Sequence, residues 1–177
     1  MQDGIGRTVG CKLVDDSCVF GAPNGDVTTF YQFTGSRYPS SPLIQGSDGS
    51  FYGAAGGLSS GGSLVYKLST GGVLKVLHQF IPGKKQFGID TAGVVQGPNG
   101  NLYGMTDADG TAGKGTVYEV STDGSTFNVL HNFGDGSVQN DGEVPGEILT
   151  VGTDGNFYGV TVFGGSAGKG TVFKISP

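Results

Sequence analysis

Apolar residues along this chain gather in short runs, each closed by Asn-Gly, Asp-Gly or a glycine-rich break, and the runs recur in a fixed order. Between Gly93 and Phe133 the pattern predicts four strands, at Gly93–Gln96, Asn101–Thr106, Gly115–Ser121 and Thr126–Phe133. The breaks are Pro98-Asn99-Gly100, a glycine-rich loop, and Thr122-Asp123-Gly124. This is the turn chemistry of tight antiparallel hairpins, so the unit reads as a β-meander. Helical spacing of apolar residues is absent, and Gly or Pro interrupts nearly every window. The chain is therefore expected to be all-β.

The same order returns. Ser47–Phe80, Pro98–Phe133 and, in shortened form, Thr153–Pro177 are versions of one unit, with a Tyr-Gly landmark at Tyr52, Tyr103 and Tyr158. The landmarks lie about 51 and 55 residues apart, a period that indicates stacked supersecondary units such as propeller blades. Val73-Leu74-Lys75-Val76-Leu77 and Phe127-Asn128-Val129-Leu130 show little alternation, which predicts strands apolar on both faces and sheets packed between neighbours. The expected fold is a β-propeller-like array of four-stranded antiparallel meander blades, three to four per chain. It forms a single repeat domain over residues 1–177: an N-terminal hairpin and partial blade at 1–42, repeats at 43–80 and 94–133, and a partial repeat at 148–177.

Aligning Phe20 with Tyr66, Tyr118 and Phe173 makes the array enter at the third strand of one unit and stop after the third strand of another. The missing outer strand has a counterpart at Asp26–Phe33, whose sequence DVTTFYQF is of the same type. Closure within one chain leaves three blades and a hairpin, or four blades with the terminal two incomplete. The alternative is completion by strand exchange between copies, which gives a ring or a fibre according to its rotation. Other copies of the chain are thus the expected partners, through unpaired blade edges.

Composition narrows the setting. The 36 glycines follow no collagen-like triplet and alternate with runs of Val, Leu, Phe and Tyr, which points to turns and close backbone approach and away from a disordered linker. Ten basic and fifteen acidic residues give a net charge of -5, and the cations are scattered, so a nucleic-acid partner is not expected. No apolar run is long enough to span a bilayer as a helix. The opening MQDGIG lacks a charged start and an apolar stretch, and reads as a cytosolic start or as a mature secreted chain with an added Met.

Cys11 and Cys18 flank KLVDDS, a terminal hairpin. A two-residue turn at Asp15-Asp16 pairs Val14 with Ser17, whereas a one-residue shift or a longer turn brings the sulfurs opposite. A disulfide is the favoured reading and implies an oxidising compartment; two free buried thiols are the alternative. Two cysteines alone are weak support for a metal.

The succession DGNFYG, a glycine-rich loop, GKGTVFKIS and then VLHNF resembles the Gloeo/Verruco-type tandem repeat of bacterial secreted and surface proteins, over nearly all of Val19–Pro177. The resemblance implies a β-propeller and an extracellular or cell-surface location. It implies no established activity and supplies no catalytic residues.

Candidate chemistry is sparse. Gly110–Thr116 (GTAGKGT) and Gly165–Thr171 (GSAGKGT) resemble a phosphate-binding loop but place glycine after the lysine and precede no helix. His78 and His131 share one repeat position, held by Tyr31 in the first unit, which suits a structural role better than a catalytic base. Asp107, Asp109, Asp135 and Asp141 could offer oxygens to Ca²⁺, though no Glu closes a calcium loop and Asp-Gly turns explain them as well. A glycosidase pair would have to come from Glu119, Glu143, Glu147 and the aspartates.

Tyr52, Tyr103 and Tyr158 either pack against the next blade or stack on sugars, one shallow site per repeat, with Gly53, Gly104 and Gly159 leaving the backbone open. The expected function is a non-enzymatic secreted or surface β-propeller module acting as scaffold or interaction domain. A repeat lectin and a propeller glycoside hydrolase or lyase are the alternatives.

Overall fold

A computed structural model describes residues 11–14, 17–20, 28–35, 37–57, 62–81, 91, 93–146 and 148–177, with side chains described from residue 28 onward. The chain divides into two compact units, Met1–Gln32 and Phe33–Pro177. In the first, β1 (Cys11–Val14) and β2 (Ser17–Phe20) form an antiparallel hairpin with Val14 opposite Ser17. That register sets Cys18 opposite Leu13 and Cys11 opposite Phe20. The two thiol groups themselves lie outside the described side chains.

The second unit consists of three antiparallel sheets built to one plan. In the first sheet, β3 (Arg37–Pro39) and β4 (Ile44–Gln45) pair with the two ends of β5 (Phe51–Gly57), followed by β6 (Leu64–Leu68) and β7 (Leu74–Gln79). The second has a bridge from Thr91 to Thr106, then β8 (Val95–Gln96), β9 (Leu102–Thr106), β10 (Thr116–Val120) and β11 (Phe127–Asn132). The third has β12 (Gly142–Pro145) and β13 (Thr150–Val151) on β14 (Phe157–Gly164), then β15 (Thr171–Ile175). No described residue is helical. The four strands expected between Gly93 and Phe133 are all present, within about two residues of their expected ends.

Turn chemistry sets the register three times over. Asp48, Asn99 and Asp154 each accept the backbone N–H two residues on, at 3.0, 3.1 and 3.1 Å. The glycine after each, Gly49, Gly100 and Gly155, has φ of 78°, 83° and 78°, a left-handed conformation that glycine adopts without steric cost. These turns join the first tier of each sheet to its long second strand. The third and fourth strands share an irregularity as well, with a register shift at Val65/Tyr66 in one sheet and at Val117/Tyr118 in the next.

The core lies between sheets. Tyr52, Val65, Leu77 and Phe80 of the first meet Val94, Leu102, Tyr118 and Val120 of the second. Tyr103, Met105, Val117 and Phe133 of the second meet Leu149 and Phe157 of the third. The middle sheet is thus buried on both faces through β9 and β10. The fourth strands correct the expectation drawn from their composition: Val76 and Val129 are 44% and 45% exposed. They form the outer margin of each sheet, where only part of the strand reaches the next one, so an apolar run need not be buried on both faces.

One ring contact recurs between successive units. Phe80, just after β7, meets Tyr118 of β10 with centroids 5.1 Å apart, and Phe133, just after β11, meets Phe173 of β15 at 5.2 Å. Phe33 meets Tyr66 of β6 at 5.3 Å. Phe33 therefore sits on the first sheet as the closing residue of a preceding unit would.

Candidate functional site

The landmark tyrosines belong to the packing. Tyr52 and Tyr103 are 0% and 1% exposed, while Tyr158 is half-buried. Each hydroxyl reaches back to the turn four residues earlier. Tyr52 donates to Asp48 at 2.8 Å, Tyr158 donates to Asp154 at 2.9 Å, and Tyr103 accepts from Asn99 at 2.8 Å. On the third strand, Lys67 bonds Asp48 at 2.7 Å and Lys174 bonds Asp154 at 3.4 Å. In the second sheet the carboxylate is Glu119, which accepts from Tyr103, Asn101 and Asn99. Lys67, with help from Tyr52, holds Asp48 well below the usual carboxylate range, and the Asn101 hydrogen bond lowers the pKa of Glu119. Burial and the Glu119 charge push the Tyr103 phenol up to about 12.

Gly53, Gly104 and Gly159 are covered too. Each lies opposite an aromatic of the third strand, Tyr66, Tyr118 and Phe173, whose ring crosses the bare backbone. A Cβ on Gly53 would come within 2.7 Å of the Tyr66 hydroxyl, and one on Gly104 would collide with that of Tyr118. An aromatic laid over a strand glycine shields the ladder and explains the landmark. No open backbone lies beside the tyrosines.

The two histidines and the loop aspartates Asp135 and Asp141 are engaged as well. His78 stacks flat on Phe127 of the next sheet, with centroids 3.5 Å apart and planes at 6°, and burial lowers its imidazole pKa. His131 bonds the Asp141 carboxylate at 3.0 Å, and Asp141 also accepts from the Gly134 N–H. Asp135 caps the Ser137 N–H. Among the described residues no group of three or more His, Cys, Asp or Glu side chains is placed to hold a metal.

The loop Gly110–Gly115 acts as a connector. Lys114 pairs with Glu143 of β12, and its carbonyl accepts the Val144 N–H at 2.8 Å. Its lysine thus serves the junction between sheets. Glu143 is the second member of that contact, and Glu147 lies outside the described residues.

One concavity stands out, at the place where the first tiers of the three sheets come together. It encloses about 530 Å³ between Tyr38 and Ser40 of the first sheet, Thr91 and Asp107 of the second, and Gly146 and Val162 of the third. The interruption of each first strand creates it. Between β3 and β4, Ser41 Oγ takes the Ala54 N–H at 2.9 Å while the backbone bends away, and Gly146 bonds Val160 at 2.9 Å after β12. Thr91 is 2% exposed, and its hydroxyl has no hydrogen-bond partner although a buried polar group ordinarily finds one. The sequence reading did not find this cleft. Its signals were Ser40-Ser41-Pro42 and Pro145-Gly146, breaks inside what is otherwise a strand.

Sheets of one design stacked in sequence define an all-β repeat protein. A family model described as the Gloeobacter/Verrucomicrobia repeat matches residues 38–177, and the chain belongs to that family. No curated protein matches it.

Proposed function

We propose that this protein is a non-enzymatic, secreted or cell-surface module of β-propeller type, a scaffold that offers the cleft between its first tiers to a binding partner. The observation carrying this reading is a division of labour. Glu143 is paired with Lys114, His78 is stacked on Phe127 and His131 is bonded to Asp141, whereas the cleft keeps an unsatisfied hydroxyl at Thr91. Pockets for small ligands are commonly built where several elements converge and place a few polar groups among apolar ones.

A carbohydrate ligand is the second reading, and the lining favours it. Tyr38 is 41% exposed and can lie against a sugar face, while Thr91 and Ser40 can bond sugar hydroxyls. This moves the sugar site from Tyr52, Tyr103 and Tyr158 to the cleft. A propeller hydrolase or lyase remains the enzymatic reading, with Glu143 as the acid to test. Ca²⁺ at Asp107 or Asp109 is a lesser proposal.

The test is a panel of neutral oligosaccharides titrated into the protein, alongside hydrolysis assays on the same panel. Saturable binding lost in Tyr38→Ala and Thr91→Val, with the fold retained, supports the cleft. Turnover abolished by Glu143→Gln overturns the non-enzymatic reading.

A further inference from the structure

The third sheet departs from the first at one position, and the departure borders the cleft. Tyr38 and Val144 are equivalent residues of β3 and β12, each followed by a proline, Pro39 and Pro145. Tyr38 lays its ring across Gly56, where an added Cβ would come within 2.7 Å of the tyrosine Cζ. Val144 instead has a φ of 56°. A left-handed backbone is an outlier for a β-branched residue, and a following proline restricts it further, so the fold stores strain at this point. The Val144 N–H bonds outside its own sheet, to the Lys114 carbonyl of the second, at 2.8 Å.

Strain held at a site points to what it achieves there, and here it accompanies an open wall. Val162 stands where Gly56 stands in the first sheet, and with Val144 in place of Tyr38 no tyrosine covers it. It lines the cleft and is 53% exposed. Ile148, 45% exposed, lines the same cleft beside Gly93 of the second sheet, where an added Cβ would lie 3.3 Å from Ile148 Cδ1 and 3.6 Å from Ser41 Cβ. The third sheet therefore presents an apolar wall. Facing the same space are the Tyr38 ring, fixed over Gly56, and the buried Thr91 hydroxyl that has no partner.

Resting on the carbohydrate reading of the cleft, we propose that it selects a sugar bearing an N-acetyl group. The acetamido methyl lies against Val162 and Ile148, the Thr91 hydroxyl donates to the acetamido carbonyl, and the sugar ring lies on Tyr38. An acetamide is apolar at one end and hydrogen-bonding at the other, so a single substituent covers the wall and satisfies the buried hydroxyl. A sugar hydroxyl in its place can serve Thr91 only. Valine and isoleucine then stay in contact with water.

The experiment is isothermal titration of the full chain with three trimers of one linkage: tri-N-acetylchitotriose, cellotriose and the deacetylated chitosan trimer. They differ in one ring substituent, which is acetamide, hydroxyl or ammonium. The acetylated trimer is expected to bind at least about tenfold more tightly than cellotriose, a difference of about 1.4 kcal/mol, on the scale of one buried methyl group and one hydrogen bond. Val162 is exposed and belongs to neither core cluster, so Val162→Ser should erase that margin while cellotriose binding and circular dichroism stay unchanged. Equal affinity for the acetylated trimer and cellotriose overturns the proposal and leaves the carbohydrate reading standing. So does tightest binding of the deacetylated trimer, whose ammonium groups a net charge of -5 attracts whatever the wall is made of. A margin that survives Val162→Ser overturns it too. Absence of binding by all three trimers also overturns it, and the carbohydrate reading is then judged by the wider panel.

Discussion

Asn99 and Glu119 occupy in the second sheet the places that Asp48 and Lys67 occupy in the first: the acid has moved from turn to strand while the tyrosine between them keeps its carboxylate partner. The physical requirement is one anionic acceptor near the tyrosine hydroxyl, with the remaining polar groups arranged to serve it. Either side of the hairpin can provide it.

Asp48→Asn is therefore expected to lower stability by about 1 kcal/mol or less, as suits a half-exposed ion pair, by leaving Lys67 without its anion. Adding Lys67→Glu recreates the second-sheet arrangement and should recover most of the loss. Urea unfolding of the two variants and the wild type measures both steps. Because Lys67 depresses the Asp48 pKa, this pair's contribution is present above the ordinary carboxylate value of about 4 and fades as pH falls through the folded one.

Tyr118→Phe should leave the protein as stable or more so. The Tyr118 hydroxyl is wholly buried without a hydrogen-bond partner, and burial raises its pKa. An unpaired buried hydroxyl costs roughly 1–3 kcal/mol, so its removal should raise the urea midpoint. The third sheet already carries Phe173 at this position. A clear loss of stability in the variant would refute the assignment.

Gly104→Ala acts in the opposite sense. Its methyl group would strike the Tyr118 hydroxyl and ring, inside a sheet packed on both faces. A destabilisation of about 1–3 kcal/mol is expected from such overpacking. Combined with Tyr118→Phe the loss should shrink, since the atom nearest the new methyl is gone, and a double-mutant cycle reads the coupling.

His78 confers a pH dependence. Its half-buried imidazole stacks on Phe127, and desolvation there holds its pKa below the ordinary 6.5, with Asp109 opposing more weakly. The unfolded chain then binds the proton more readily than the folded one. Its stabilising share is full above about pH 6.5 and is lost as pH falls through the folded pKa. Urea midpoints of wild type and His78→Phe should diverge between pH 8 and pH 5.5, the wild type losing more. Parallel curves would disprove the linkage.

How much of this could be read from the sequence depends on the element. The hairpins of the second unit were legible because Asn99-Gly100 and Asp123-Gly124 state their turns outright. The repeat itself was legible from the Tyr-Gly landmarks. Of the first tiers only β8 was legible, as the strand expected at Gly93–Gln96; β4 and β13 are two residues long and carry no alternation to detect. The cleft between them went unseen for the same reason. Tyr103 and Gly104 were recognised as important, yet their purpose lies across the hairpin at Glu119 and Tyr118, a register that only the folded strands reveal.

The ring contacts at Phe33, Phe80 and Phe133 carry a consequence for how such a chain can change length. Each phenylalanine comes at the close of one period and is spent on the aromatic of the following one. Duplicating or deleting a full period restores every such handshake, whereas gaining or losing a fraction leaves a ring reaching for a partner that is out of place. Growth in this architecture is quantised, and the size of the quantum is the distance from one phenylalanine to the next.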